Sequence, residues 1–155
     1  MTDRHEFIFN PDEYRSVTPV QIRFNDIDIL GHLNNTVYFS IFDTGKAEYL
    51  HSVMKGQMKW DRVESVIANV NCSFMSATLY GEKVAVYTKC TEVKEKSFKL
   101  SQVLINIKTL EVKAVCETIM VSYDPDTKKS VPISENTRKL LDEFEGKNLQ
   151  TPKVK

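Results

Sequence analysis

An antiparallel α+β domain, with five strands and one long helix inserted after the first, is the fold class that this sequence predicts. Three observations carry it. Apolar and polar residues alternate over five separate stretches, the period of a half-buried strand. One further stretch, from about residue 35 to about residue 54, is instead apolar on nearly every helical face, which belongs inside a core. The links between the later strands are short, as antiparallel neighbours allow and parallel crossovers do not.

The elements follow in order. Residues 1–13 have no clear period, although Phe7, Ile8 and Phe9 could dock as a short arm before Pro11. A first strand is expected from about residue 15 to Phe24, because Val20, Ile22 and Phe24 alternate with Gln21 and Arg23. A loop follows, in which Gly31 supplies backbone freedom and Asn34 reads as the N-cap of the helix. That helix carries Val37, Tyr38, Phe39, Ile41, Phe42, Ala47, Tyr49, Leu50, Val53 and Met54. Gly45 in its middle costs up to about 1 kcal/mol relative to Ala, so a close backbone approach is expected there. Beyond Gly56 and a link holding Trp60, alternation resumes with Val66, Ala68, Val70, Cys72 and Phe74. Tyr80-Gly81-Glu82-Lys83 is a turn. The third strand spans about 84–93, the fourth carries Phe98, Leu100, Gln102 and Leu104, and the fifth runs over about 111–123. Ser134 caps a short amphipathic helix over about 134–144 with Leu140, Leu141 and Phe144. The tail, 146–155, has little to bury and is expected to be mobile. The reading is therefore one domain over 1–155, with its core at about 14–124.

Composition narrows the function classes. Twenty-one basic residues balance twenty-one acidic ones, so no global field marks out nucleic acid or an anionic membrane as partner. The chain is 41% hydrophobic and 27% charged, the balance of a globular protein. The first residues are polar and no apolar run approaches the roughly 18 needed to span a bilayer, so the expected location is cytoplasmic. Cys72, Cys90 and Cys116 are odd in number and widely spaced, which fits buried small hydrophobes better than disulfides or zinc ligands. No metal site is expected. The sequence has no Gly-x-Ser-x-Gly elbow, Gly-rich phosphate loop or Cys-x-x-Cys pair, so serine-hydrolase, nucleotide-hydrolase and redox readings lack their key parts.

The chemically dense stretch is 23–39, where two carboxylates, an imidazole and two amides stand between strand and helix. A helix N-terminus offers unpaired N–H donors and roughly half a positive charge. Asp28 and His32 are aimed at such an end, an arrangement able to serve hydrolysis. The local alternative is a well-capped connection, since Asp, Asn and Gly favour turns for their own reasons. A calcium loop is rejected, because its fifth position would be Leu30 and its twelfth Val37.

Asp26-x-Asp28-x-x-Gly31-His32-x-Asn34-Asn35-x-x-Tyr38, after a strand and opening a long apolar helix, resembles the active-site segment of hotdog-fold thioesterases of the 4-hydroxybenzoyl-CoA thioesterase-like group. The resemblance implies a sheet wrapped around the long helix and hydrolysis of acyl-CoA or acyl carrier protein thioesters. Coenzyme A would then be part of the substrate, with no separate cofactor. It maps the catalytic carboxylate onto Asp28, as general base or as nucleophile, and the donor to the thioester carbonyl onto the backbone N–H of Asn35. His32 is either a polariser and water positioner or a packed loop histidine. Gly31, Asn34 and Tyr38 would border the substrate, although Asn34 also reads as a cap, and Tyr38 and Glu48 as packing or supporting groups. Asp26 is expected to brace the loop. The Lys94-Glu95-Lys96-Ser97 turn resembles the region where relatives meet the nucleotide, which brings in Lys96 and Ser97. Plant-type acyl carrier protein thioesterases are similar too, but Leu30 stands where their catalytic set has Asn. A hydratase of the same fold is disfavoured, because its Asp-x-x-x-x-His arrangement with an adjoining Pro is absent. The resemblance further implies a homodimer or homotetramer with sites at subunit boundaries. A non-catalytic acyl-binding protein is the rival from another class.

Overall fold

A computed structural model describes residues 7–62 and 64–151. Its main sheet contains β1 (Ser16–Val20), β2 (Ser65–Phe74), β3 (Val84–Val93), β4 (Ser97–Asn106) and β5 (Val112–Asp124) in the spatial order β1-β3-β4-β5-β2, all antiparallel. The long helix α1 (Asn35–Val53) joins β1 to β2, the two outer strands. A short strand β6 (Lys129–Ser130) pairs with the end of β5, and helix α2 (Glu135–Glu145) follows. The pair β5/β6 was not expected, since two residues are too few to show a period.

Helix α1 packs on β1, β3 and β4. Tyr38, Ile41, Phe42, Tyr49 and Val53 are buried along it. Two core clusters divide its length. Toward its N-terminus, Leu33, Tyr38, Ile41 and Phe42 meet Val84, Val86, Leu104 and Ala114. Toward its C-terminus, Tyr49 and Val53 meet Cys90, Val93, Phe98 and Leu100, together with Leu141 of α2. Gly45 lies between them. A Cβ built there would stand 2.6 Å from Val86 Cγ1 and 2.9 Å from Gln102 Nε2, so the close approach expected at this glycine is present.

Three expectations need correction. The first strand stops at Val20, and Phe24, 77% exposed, opens a 3-10 turn, Phe24–Asp26. Alternation alone cannot tell a strand from an extended segment that leaves the sheet. The tail from residue 146 was expected to bury little, yet Leu149 is 6% exposed within the second cluster. Val93 N donates to Leu149 O and Thr151 N to Val93 O, so one apolar residue in a polar tail suffices to dock it. Residues 152–155 of that tail, and 1–6 of the N-terminal arm, lie outside the described residues. Glu48, read as a packing or supporting group, is exposed on α1.

Candidate active site

The loop between β1 and α1 is held by its own acidic side chains. Asp26 is buried and accepts from the Arg23 backbone N–H at 2.9 Å, while the Arg23 guanidinium pairs with it at 3.0 Å. The hydrogen bond from that guanidinium keeps the Asp26 carboxyl below its ordinary range, against the cost of burial. Asp26 therefore braces the loop, as the sequence suggested. Asp28 organises the tip: its Oδ1 accepts from Leu30 N at 2.9 Å and His32 N at 3.3 Å. Gly31 N donates to Asp28 O at 3.0 Å, with Gly31 at φ +80°, a conformation that β-carbons disfavour. The second Asp28 oxygen takes no part in these bonds.

Asn34 then starts α1. Its Oδ1 accepts from Thr36 N at 3.0 Å, and its own N–H donates to Asp26 O at 2.9 Å. Asn34 is thus engaged as a cap, the local alternative weighed for it. Among the described residues none accepts a hydrogen bond from the Asn35 N–H. Asn35, which carries that orphan donor, lines a cleft of about 180 Å³ whose walls also include His32, Leu33, Tyr38, Phe74 and Ser76. His32 and Asn35 are brought together in it. Asp28 is half-buried in its loop and is not one of the walls of the cleft.

The far wall comes from a segment that sequence reasoning left without a role. Ser76 and Ala77 follow β2 and line the cleft. Thr78 O accepts from Leu33 N at 2.8 Å, and the Thr78 and Tyr38 hydroxyls share a buried hydrogen bond of 2.9 Å. Tyr38 also meets Phe74 edge to face, with centroids 5.0 Å apart. It is a packing residue at the cleft floor. Behind the segment, Lys113 Nζ donates to Ala77 O at 3.0 Å and pairs with Glu82 at 2.8 Å and with Glu111. The alternating pattern ends at Phe74, so only the turn at Gly81 hinted at this wall.

Lys96 and Ser97 are not brought to the cleft within this chain. Their hairpin leads into Phe98, which belongs to the second core cluster, whereas Leu33 and Tyr38 belong to the first. Near that end lies a larger hollow of about 490 Å³ between Leu50, Met54, Phe98, Tyr123 and Ile133. It is remote from the loop that carries Asp28 and His32. Among the described residues, no group of three or more His, Cys, Asp or Glu side chains is placed to hold a metal ion. Among the same residues no helix is long and apolar enough to cross a membrane.

Comparison with known proteins places this arrangement. YsmA of Bacillus subtilis (strain 168), an uncharacterised protein, is 24% identical over 123 residues, which cover 79% of this chain and 82% of that protein. A thioesterase of Thermus thermophilus complexed with coenzyme A and zinc is similar in structure, with a TM-score of 0.76 and 21% identity over 88% of this chain and 98% of its own. A 1,4-dihydroxy-2-naphthoyl-CoA thioesterase from Synechocystis superimposes with a TM-score of 0.71 and 12% identity, over 81% of this chain and 94% of its own. These likenesses fix the hotdog fold, a curled antiparallel sheet around a helix. The model of one family matches residues 22–141, a span that holds the Asp28 loop, α1 and the whole of β2 to β5, and by that match the chain belongs to the thioesterase-like superfamily.

Proposed function

We propose that the protein hydrolyses an acyl-CoA thioester to the free acid and the coenzyme A thiol. The observation that carries this reading is the unpartnered Asn35 N–H at the start of a 19-residue helix, in a residue that lines one cleft with His32, whose own N–H is bonded to the Asp28 carboxylate. A thioester carbonyl seated in the cleft would receive that N–H as its charge develops, a contribution of about 3 kcal/mol where such donors have been removed from other enzymes. Asp28 is fixed through Oδ1 by two backbone donors, which leaves its other oxygen to act on water as general base or on the carbonyl as nucleophile. His32 would then orient water or polarise the thioester. Family membership and coenzyme A in a structural neighbour support the carrier.

The exposed apolar rim formed by Phe24, Ile29, Leu30 and Tyr80 supports assembly into a homodimer or homotetramer. Lys96 and Ser97 enter this reading only if a second copy brings its hairpin to the cleft. Sedimentation equilibrium tests the assembly directly.

One observation favours a second reading, a non-catalytic acyl-binding protein: Asp28 caps its own loop and does not wall the cleft. Asp28→Asn tests the chemical role of Asp28, because the amide oxygen can keep the loop bonds while the base is lost. With a panel of acyl-CoA esters and free-thiol detection, hydrolysis is expected to fall by about two orders of magnitude or more, with unchanged thermal unfolding. Undiminished turnover in that variant would remove Asp28 from the chemistry, whereas acyl-CoA binding with no turnover by the unaltered protein would establish the binding reading. Parallel rates on matched acyl carrier protein thioesters decide the carrier.

A further inference from the structure

We propose that Cys72 and Cys116 form a dithiol site that closes to an intramolecular disulfide when the folded protein meets a low-molecular-weight disulfide. The two residues are direct partners in the antiparallel ladder between β2 and β5, so their side chains leave the same face of the sheet. Partners of this kind have Cα atoms about 4.5–5.5 Å apart, within the roughly 4.4–6.8 Å that a disulfide spans. Closure therefore asks for side-chain rotation and not for movement of either strand. The inference does not depend on the thioesterase reading.

The surroundings favour a thiolate. Lys46 of α1 is buried, with its ammonium 3.0 Å from Asp43 Oδ1, and its charge acts on both thiols. The Cys116 thiol is pulled below its ordinary range, first by the hydrogen bond with Cys72, then by Thr118 and Lys46, against its burial and the Asp43 carboxylate. The same hydrogen bond and burial push Cys72 up. Cys90 supplies an internal control: it lies in the other core cluster, where burial raises its thiol to about 12.

Cys116 is 2% exposed, whereas Cys72 is half-buried on the outer strand β2, so an incoming reagent RSSR meets Cys72 first. With the charge of the pair on Cys116, that thiolate takes the Cys72 proton as Cys72 Sγ attacks one reagent sulfur and expels RS⁻. Cys116, after giving up its proton, attacks Cys72 Sγ of the mixed disulfide and expels the second RS⁻. Two protein thiols are oxidised, the reagent is reduced to two thiols, and the two protons end on them.

Hydroxyethyl disulfide in native buffer near neutral pH is the test. The expected product is lighter by about two mass units, the two thiol hydrogens. Proteolysis should place the bond between residues 72 and 116 with Cys90 free, and dithiothreitol should reverse it. Cys116→Ser should stall at a mixed adduct on Cys72. Lys46→Met removes a charge that favours both thiolates and should slow closure at fixed pH. If that variant does not fold, the pH profile of the unaltered protein replaces it: the rate should climb at a pH below the roughly 8.5 of an ordinary thiol. Three free thiols after treatment of the folded protein, closure seen only in urea, or a bond involving Cys90 would each overturn the proposal.

Discussion

Asp28 has a structural job and, in the proposed reaction, a chemical one, and one substitution can separate them. Its carboxylate caps the loop by accepting from Leu30 N and His32 N, and in the proposed reaction its other oxygen handles water or the carbonyl. Asn can retain the first job and Ala can retain neither. Asp28→Ala is therefore expected to lower stability by about 1 kcal/mol, the usual worth of an Asp cap, whereas Asp28→Asn should leave the urea midpoint in place. Equal destabilisation by both would mean that charge, and not hydrogen bonding, holds the loop. At this scale the sequence was informative for groups that act locally. Asp26, Asn34 and Gly31 do what their residue types and neighbours suggested, because caps and turns are decided within four residues. Thr78 was illegible, since its partner Tyr38 lies 40 positions away. The Cys72 and Cys116 pair was likewise hidden, since only the strand register puts them face to face.

Among elements, α1 was the most readable, because an apolar surface on almost every face has only one place to go. Its start at Asn35, its cap and its end at Val53 agree with the expected 35–54 span. The second helix shows what was less readable. Ser134 caps it through Thr137 N as expected, but its docking depends on a buried Glu145. The carboxylate of that residue accepts from the Tyr49 hydroxyl at 2.8 Å and from Cys90 N at 3.1 Å. Nothing in the pattern of α2 announces that a glutamate should face inward. Gly45 yields the prediction proper to this scale. Ala would gain up to about 1 kcal/mol in helix propensity. Its methyl would also collide with Val86 and Gln102, both fully buried and unable to retreat, and such overpacking costs about 1–3 kcal/mol. Gly45→Ala is thus expected to be net destabilising by up to about 2 kcal/mol in urea titration. A stabilised variant would show that α1 can lift from the sheet.

For the whole molecule, formal neutrality conceals an uneven arrangement, because Lys113, the most buried cation among the described residues, ties together segments distant in sequence. Its side chain is 4% exposed and meets Glu82, Glu111 and Ala77 O, while Asn106 also donates to Glu82. Burial opposes charge at Glu82, but the bonds from Lys113, Leu79 N and Asn106 outweigh it and hold its pKa below the ordinary 4.5. Glu111 is lowered as well, chiefly by Lys113. Burial likewise opposes the charge on Lys113, and the two carboxylates more than compensate, so its pKa lies above 10.5. The signs then follow from linkage. The stabilisation from the carboxylates is complete above their unfolded values and is lost as pH falls through the lower folded values. That from Lys113 is complete below 10.5 and lost as pH rises through its higher folded value. Stability should accordingly hold from about pH 6 to 9 and decline below about pH 4.5, near the ordinary carboxylate value. Lys113→Met leaves two neighbouring carboxylates without their cation, so it should cost about 3 kcal/mol near neutrality, as breaking a buried pair does. That deficit should shrink toward about pH 3, where protonation relieves the stranded charges. Urea midpoints for both proteins across this range provide the measurement. A deficit independent of pH would mean that Lys113 contributes packing alone, and that the cleft wall at Ser76 and Ala77 is held by the backbone bonds from Met75 N and Ser76 N to Lys113 O.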